Sequence, residues 1–114
     1  MKRTPLRRIS ARRLIENEYY LYRRRRFLDL HPYCQVWLAE HGLAEVAAIE
    51  AGGVVEQEGK RTLIPLSTEI HHANKRRGSD LLDEANWLAV SADAHRRIEH
   101  DKAWARARGF LRPF

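Results

Sequence analysis

Three histidines in the last third of the chain, His71, His72 and His95, have types and positions suited to chemistry. A neutral imidazole can ligate a divalent cation, and it can also take a proton from water as a general base. Hydrolysis of a phosphodiester needs both functions, because a water must be activated while negative charge grows on the phosphate and on the leaving oxygen. The three side chains would supply both functions if the fold brought them together.

His71 and His72 end the segment 67–72, whose residues alternate as those of a β-strand do. Adjacent side chains point to opposite faces of a regular strand, and this restriction relaxes where the strand ends. One of the two imidazoles can therefore hold a cation while the other faces the scissile phosphate.

His95 belongs to a predicted helix over 92–109, which ends at a glycine. Ahead of it we predict a polar, basic loop over 73–83 and a second strand over 86–91. His95 and Glu99 are four residues apart, so that both project from one face of the helix. The order strand, loop, strand, helix is that of a ββα unit, in which His95 closes the cation site from the helix side.

The first third of the chain predicts a long basic helix. Nothing between Ser10, a suitable N-cap residue, and Leu30 breaks a helix, and His31-Pro32 ends it because the residue before proline is pushed out of the helical region. Leu14, Leu21 and Leu28 recur every seven residues along it.

Between this helix and the histidines, residues 35–51 predict a second helical stretch that is interrupted near His41-Gly42. The segment 54–64 has the pattern of a strand, a turn at Glu58-Gly59 and a second strand, which predicts a β-hairpin. We interpret this hairpin as an insertion ahead of the histidine segment.

Composition favours a basic protein that binds polyanions. Lys and Arg number 21 against 15 acidic residues, a formal net charge of +6, and a Lys or Arg placed on a nucleic-acid phosphate releases a condensed counterion. The sequence contains neither an apolar run long enough to span a membrane nor a secretory signal. We therefore expect a cytoplasmic protein of one domain, 1–114, with nucleic acid as its partner.

Several arginines are candidates for contact with the phosphates of DNA. Those in the first helix are interpreted either as a solvated helix end or as an arm that lies on the DNA backbone. Those near the histidines would hold the backbone beside the site. The candidates are Arg23, Arg24, Arg25, Arg26, Arg76, Arg77, Arg96 and Arg97.

The spacing of the motifs resembles that of a known family. Glu69-Ile70-His71-His72 is followed by Asn86-Trp87-Leu88-Ala89-Val90-Ser91 and then by His95-Arg96-Arg97-Ile98-Glu99. Asn86 follows His72 by 14 residues, and His95 follows Asn86 by 9 residues. This pattern resembles the HNH endonucleases, particularly the small HNH proteins of phages and prophages. The resemblance covers 68–109 well and the chain up to Cys34 more loosely, whereas 35–66 match no motif.

The resemblance implies roles for five residues. His72 would be the general base that polarises the attacking water, while His71 and His95 would ligate one divalent ion. Glu99 stands where some relatives carry a third ligand, and Asn86 stands where a side chain braces the loop so that the base stays aimed. A carboxylate ligand suits Mg²⁺ or Mn²⁺, and the two histidines also suit Ni²⁺ or Zn²⁺.

One departure from the family concerns a structural zinc. Many phage relatives carry two Cys-x-x-Cys pairs, whose positions here are held by Cys34 and Trp37 and by Ser91 and Ala94. One thiol cannot build a tetrahedral zinc site. We expect no structural zinc, and apolar packing by Trp37, Leu38, Ala94 and the hairpin in its place.

The implied fold is α+β, with the basic N-terminal helix (1–33) packed on a ββα-metal, or His-Me finger, HNH unit (67–109) and a helix plus hairpin (34–66) between them. The implied function is metal-dependent hydrolysis of DNA phosphodiester bonds. Two alternatives stay open: a catalytically silent DNA-binding protein, and an accessory nuclease that works with a phage terminase.

Overall fold

A computed structural model describes residues 11–74 and 82–112, and within these ranges the chain forms an α+β fold with two small antiparallel sheets. The expected α+β class is confirmed. In chain order the elements are α1 (Ala11–Leu30), α2 (Gln35–Glu40), α3 (Glu45–Glu50), β1 (Val54–Gln57), β2 (Lys60–Leu63), β3 (Glu69–His72), a 3-10 turn (Glu84–Asn86), β4 (Trp87–Val90), α4 (Ala92–His100) and α5 (Lys102–Ala107).

Helix α1 ends at Leu30, as the following His-Pro pair predicts. Its buried residues are Tyr20 and Phe27, which are seven apart and therefore share one face. Both rings pack edge-on against Trp87 of β4, with ring centroids 5.6 and 5.4 Å away. The first nine residues of the helix are exposed, so α1 is anchored to the sheet by its second half.

The middle of the chain follows the predicted pattern. The helical stretch is interrupted at Gly42, whose φ of 65° lies in the left-handed region, so that α2 and α3 are separate helices. The hairpin of β1 and β2 pairs Val54 with Leu63 and Gln57 with Lys60. Gly53, directly before β1, lies so close to the Tyr33 ring that a Cβ there would be 2.6 Å from a ring carbon.

Strands β3 and β4 pair antiparallel with Glu69 opposite Val90 and His72 opposite Trp87. One face of this sheet contacts α1, because Ile70, Trp87 and Ala89 cluster with Tyr20 and Phe27. The other face contributes to a second cluster, formed by Cys34, Val36, Val90, Ile98, Ala105 and Phe110. The two histidines that end β3 therefore lie between two separate packed layers.

The prediction of one continuous helix over 92–109 is wrong. Asp101, with φ −125°, ends α4 and caps α5, because its side chain accepts a hydrogen bond from the backbone N–H of Trp104 in the first turn of α5. A side-chain acceptor at this position favours a new helix start over continuation. The last helix, α5, ends at Ala107, and the predicted stop Gly109 follows two residues later with a φ of 79°, which a glycine adopts without strain.

Parts of the sequence prediction lie outside the described residues: the Ser10 N-cap, the candidate phosphate contacts Arg76 and Arg77, and most of the loop over 73–83. No helix in the described ranges combines the length and the apolar character needed to cross a membrane.

Candidate active site

His71 is held by the C-terminal segment of the chain. It is buried in β3, and its Nε2 lies 2.8 Å from the carbonyl oxygen of Phe110. A carbonyl oxygen only accepts, so the imidazole Nε2 must donate, which leaves Nδ1 as the nitrogen with a lone pair. The ring meets that of His95 edge-on, with centroids 5.4 Å apart. The two predicted ligands from strand and helix are therefore neighbours.

The surroundings of His71 keep its ring neutral. Burial lowers the pKa of His71 below its ordinary value of 6.5, and the charge of His95 lowers it further, whereas the hydrogen bond with Phe110 and the charge of Glu99 act in the opposite direction. A metal ligates the neutral imidazole, so this environment suits a ligand.

His95 lies between two carboxylates. Its Nδ1 is 3.5 Å from an oxygen of Glu69, and its Nε2 is 3.6 Å from an oxygen of Glu99, one turn further along α4. The Glu99 contact follows from the four-residue spacing. The sequence reasoning assigned no role to Glu69, although its position two residues before His71 on the same strand face is a signal for it.

His72 points to the other face of the sheet, as alternation requires. Its ring centroid lies 6.0 Å from that of Tyr20 and 5.8 Å from that of Trp87, and the side chain is half-buried. The two faces meet at a cleft of 250 Å³ lined by Ile70, His71, His72, Asn74, His95 and Glu99. All three predicted histidines thus border one open space.

Asn86 joins the two ends of the loop between β3 and β4. Its side-chain N–H donates to the Asp83 carboxylate at 2.9 Å, and its side-chain oxygen accepts from Asn74 at 3.1 Å. Its backbone oxygen accepts from the N–H of Ala73, the residue after His72, at 2.8 Å. The amide is buried, at 5% exposure, and it fixes the chain that carries His72.

The four consecutive arginines of α1, at 23–26, fall into two pairs. Arg23 forms an ion pair with Glu84 at 2.9 Å and lies over the ring of Trp87, and hydrogen bonding to Glu84 raises the pKa of its guanidinium. Arg24 donates to the carbonyl oxygen of Thr68. Both anchor α1 to the sheet, whereas the next two, Arg25 and Arg26, are exposed.

The arginines of α4 also differ. Arg96 pairs with Asp93 one turn earlier and lines a cleft of 430 Å³ together with Glu69, His95 and Glu99. Arg97 points elsewhere: it pairs with Glu40 at 3.2 Å and lies 3.8 Å from the centroid of the Trp104 ring. Of the two, Arg96 is the one beside the histidines.

The four positions that hold zinc cysteines in many phage HNH proteins are used for packing and capping. Cys34 is fully buried in the apolar cluster on the α4 side of the sheet, with Trp37 and Ala94 packed against it. Ser91 caps α4 by accepting a hydrogen bond from the N–H of Ala94. Leu38, which we expected to help fill this space, packs instead beneath the hairpin with Ala48 and Ile64.

The cleft offers a divalent cation two imidazoles, those of His71 and His95, and the carboxylate of Glu99. Within residues 11–74 and 82–112, no three His, Cys, Asp or Glu side chains lie close enough together to hold a metal ion as they stand. His95 instead pairs with Glu69 and Glu99. Ligation by His71, His95 and Glu99 therefore requires side-chain rotation around His95, while the backbone already places the three residues on the cleft.

Comparison of the chain with protein-family models, with curated proteins and with solved structures finds no match.

Proposed function

We propose that the chain is a metal-dependent HNH endonuclease that hydrolyses phosphodiester bonds of DNA. The observation that carries the proposal is the pairing of His71 from β3 with His95 from α4, ring centroids 5.4 Å apart, on a cleft that His72 also lines. Two antiparallel strands followed by a helix are the order of elements in a ββα unit, which supports the same assignment.

In this proposal His71 and His95 hold the divalent cation, with Glu99 as a third ligand. His71 is suited to the role because burial keeps it neutral and the carbonyl of Phe110 fixes the direction of its ring. When bound, the cation would neutralise charge that grows on the scissile phosphate and the leaving oxygen.

His72 is the proposed general base. Its half-buried ring is confined by Tyr20 and Trp87, which limits the rotamers it can adopt. Asn86 holds the chain immediately after it through the Ala73 N–H. A ring confined in this way needs no further ordering before it takes a proton, which is the advantage of a positioned base.

Positive charge beside the cleft would hold the DNA backbone. Arg96 lines the space next to His95, and its exposed partner Asp93 costs little to replace with a phosphate, since exposed ion pairs contribute about 0–1 kcal/mol. Arg25 and Arg26 extend the basic surface along α1. Such contacts provide affinity and little sequence choice.

A catalytically silent DNA-binding protein is the second candidate. It is favoured by the observation that no three-ligand cluster is preassembled among the described residues. In that case the basic surface would be retained, and the histidines would serve the packing of β3 against α1 and α4.

Cleavage of supercoiled plasmid separates the two candidates. The purified protein is tested with Mg²⁺, Mn²⁺ and Ni²⁺ and with chelator, alongside His72→Ala and the control His100→Ala, an exposed histidine of α4. The nuclease proposal expects metal-dependent relaxation by the unmodified chain and by the control, and its loss in His72→Ala.

DNA binding and thermal unfolding of each variant are measured in parallel, because His72 contacts two aromatic rings. A protein that binds DNA with an unchanged fold but cuts it in none of the three metals is the silent binder, and the nuclease proposal then fails.

A further inference from the structure

Helix α1 exposes large apolar side chains away from the sheet. Leu14 is 49% exposed and Leu21 is 61% exposed. Both belong to the seven-residue leucine repeat, whose third member, Leu28, is half-buried beside the cluster of Phe27. Large apolar surface on a helix favours association with a partner.

The leucines alternate with two opposite charges along one stripe. Leu14, Glu18, Leu21, Arg25 and Leu28 follow one another by four and three residues, the spacing of a coiled-coil seam. At about 100° per residue the stripe spans roughly 80° of the helix surface, well away from the Tyr20 and Phe27 face. The stripe therefore remains accessible while α1 is anchored to β3 and β4.

The stripe is complementary to a second copy of itself that runs in the opposite direction. In an antiparallel second helix centred on Leu21, Leu14 lies level with Leu28 of the second copy. Glu18 lies about one residue rise, or roughly 1.5 Å, from the level of Arg25 of the second copy. Leucines then meet leucines along one edge of the seam, and each glutamate meets an arginine along the other.

We propose that α1 is a dimerisation helix whose exposed stripe docks antiparallel on the same stripe of a second copy of this chain. The contact is isologous, so that one two-fold axis at Leu21 generates two Leu14–Leu28 contacts, one Leu21–Leu21 contact on the axis and two Glu18–Arg25 pairs. The charges also select the antiparallel orientation, because a parallel pair in register would place Glu18 beside Glu18 and Arg25 beside Arg25. The inference is independent of the proposed nuclease function.

Sedimentation equilibrium without DNA tests the dimer with three variants. Glu18→Arg and Arg25→Glu each set like charges against each other in a homodimer, and each should weaken self-association by about tenfold or more. Arg26→Glu makes the same charge change outside the stripe and serves as the matched control, which should associate like the unmodified chain.

An equimolar mixture of Glu18→Arg and Arg25→Glu restores both opposite-charge pairs in a heterodimer, so the mixture should recover the association that each variant alone has lost. Recovery also shows that neither variant is misfolded. A monomer at every concentration, or equal effects of Arg25→Glu and Arg26→Glu without recovery in the mixture, overturns the proposal.

Discussion

The imidazole Nε2 of His71 lies 2.8 Å from the carbonyl oxygen of Phe110, a residue 39 positions later in the chain. This contact predicts the tautomer of the ring. In chelator, long-range ¹⁵N NMR of the histidines should show His71 protonated at Nε2 and unprotonated at Nδ1. Addition of Mn²⁺ or Ni²⁺ should then broaden or shift Nδ1 first. A proton on Nδ1 of the metal-free protein would contradict the assignment of this nitrogen as the ligand.

The lowered pKa of His71 predicts how stability depends on pH. The folded protein binds this proton less tightly than the unfolded chain, whose pKa is near 6.5. The free energy of unfolding should therefore be highest above pH 6.5 and fall as the pH drops from 6.5 through the folded-state pKa.

Urea unfolding in chelator, at pH values from about 7 down to about 5, measures this dependence. His71→Asn removes the titrating group, so its stability should fall less steeply over the same interval, with the other groups near the site, His95, Glu69 and Glu99, unchanged. Equal slopes for the two proteins would show that His71 is not the group responsible.

Asn86→Ala should reduce both stability and cleavage. The substitution leaves Asp83 and Asn74 without their side-chain partner, and a lost buried hydrogen bond costs about 1–3 kcal/mol. Because Asn86 fixes the chain after His72, the rate of cleavage should fall while metal affinity is unchanged. Asn17→Ala, on the exposed part of α1, is the control and should change the free energy of unfolding by less than about 0.5 kcal/mol.

The arginine run of α1 should separate into structural and DNA-binding residues. Arg23→Gln breaks the ion pair with Glu84 and the contact with Trp87, so it should lower the free energy of unfolding by about 1 kcal/mol. Arg26→Gln, which lies outside the proposed dimer stripe, should leave stability unchanged, weaken DNA binding for all sequences and reduce the salt slope by about 1. Similar effects of both changes on DNA affinity would show that the run acts as one surface.

The packing around Cys34 predicts that chelator leaves the fold intact. Cys34 is fully buried among Val36, Val90 and Ile98, where a small apolar side chain can replace it. Cys34→Ala should cost about 1 kcal/mol and should leave the far-ultraviolet circular dichroism spectrum unchanged with and without chelator. Loss of that spectrum in chelator would reveal a structural metal.

The sequence predicts those parts of the fold that local chemistry determines. Pro32 ends α1, Gly42 separates α2 from α3 and Gly109 ends the last helical segment, because each residue restricts or frees the backbone where it stands. The four-residue spacing of His95 and Glu99 likewise places both on one side of α4. These features need no knowledge of distant residues.

Other features depend on contacts between distant parts of the chain. The leucine repeat marks a stripe of α1, but the buried face is that of Tyr20 and Phe27, because their rings fit against Trp87. The carbonyl that fixes His71 comes from Phe110, and no local pattern indicates it. The break at Asp101, in contrast, has a local signal. Aspartate is a common N-cap residue, and its side chain accepts from the backbone N–H three residues later, here that of Trp104.

The attachment of residues 110–112 to His71 and Ala73 has a genetic consequence. Besides the Phe110 carbonyl, the N–H of Arg112 donates to the oxygen of Ala73 at 3.0 Å. A gene with a nonsense codon directly after the Gly109 codon would still encode every histidine of the motif. Its product would lack both of these hydrogen bonds. Such an allele should therefore behave as a loss-of-function allele, although inspection of the histidine motif alone would classify it as intact.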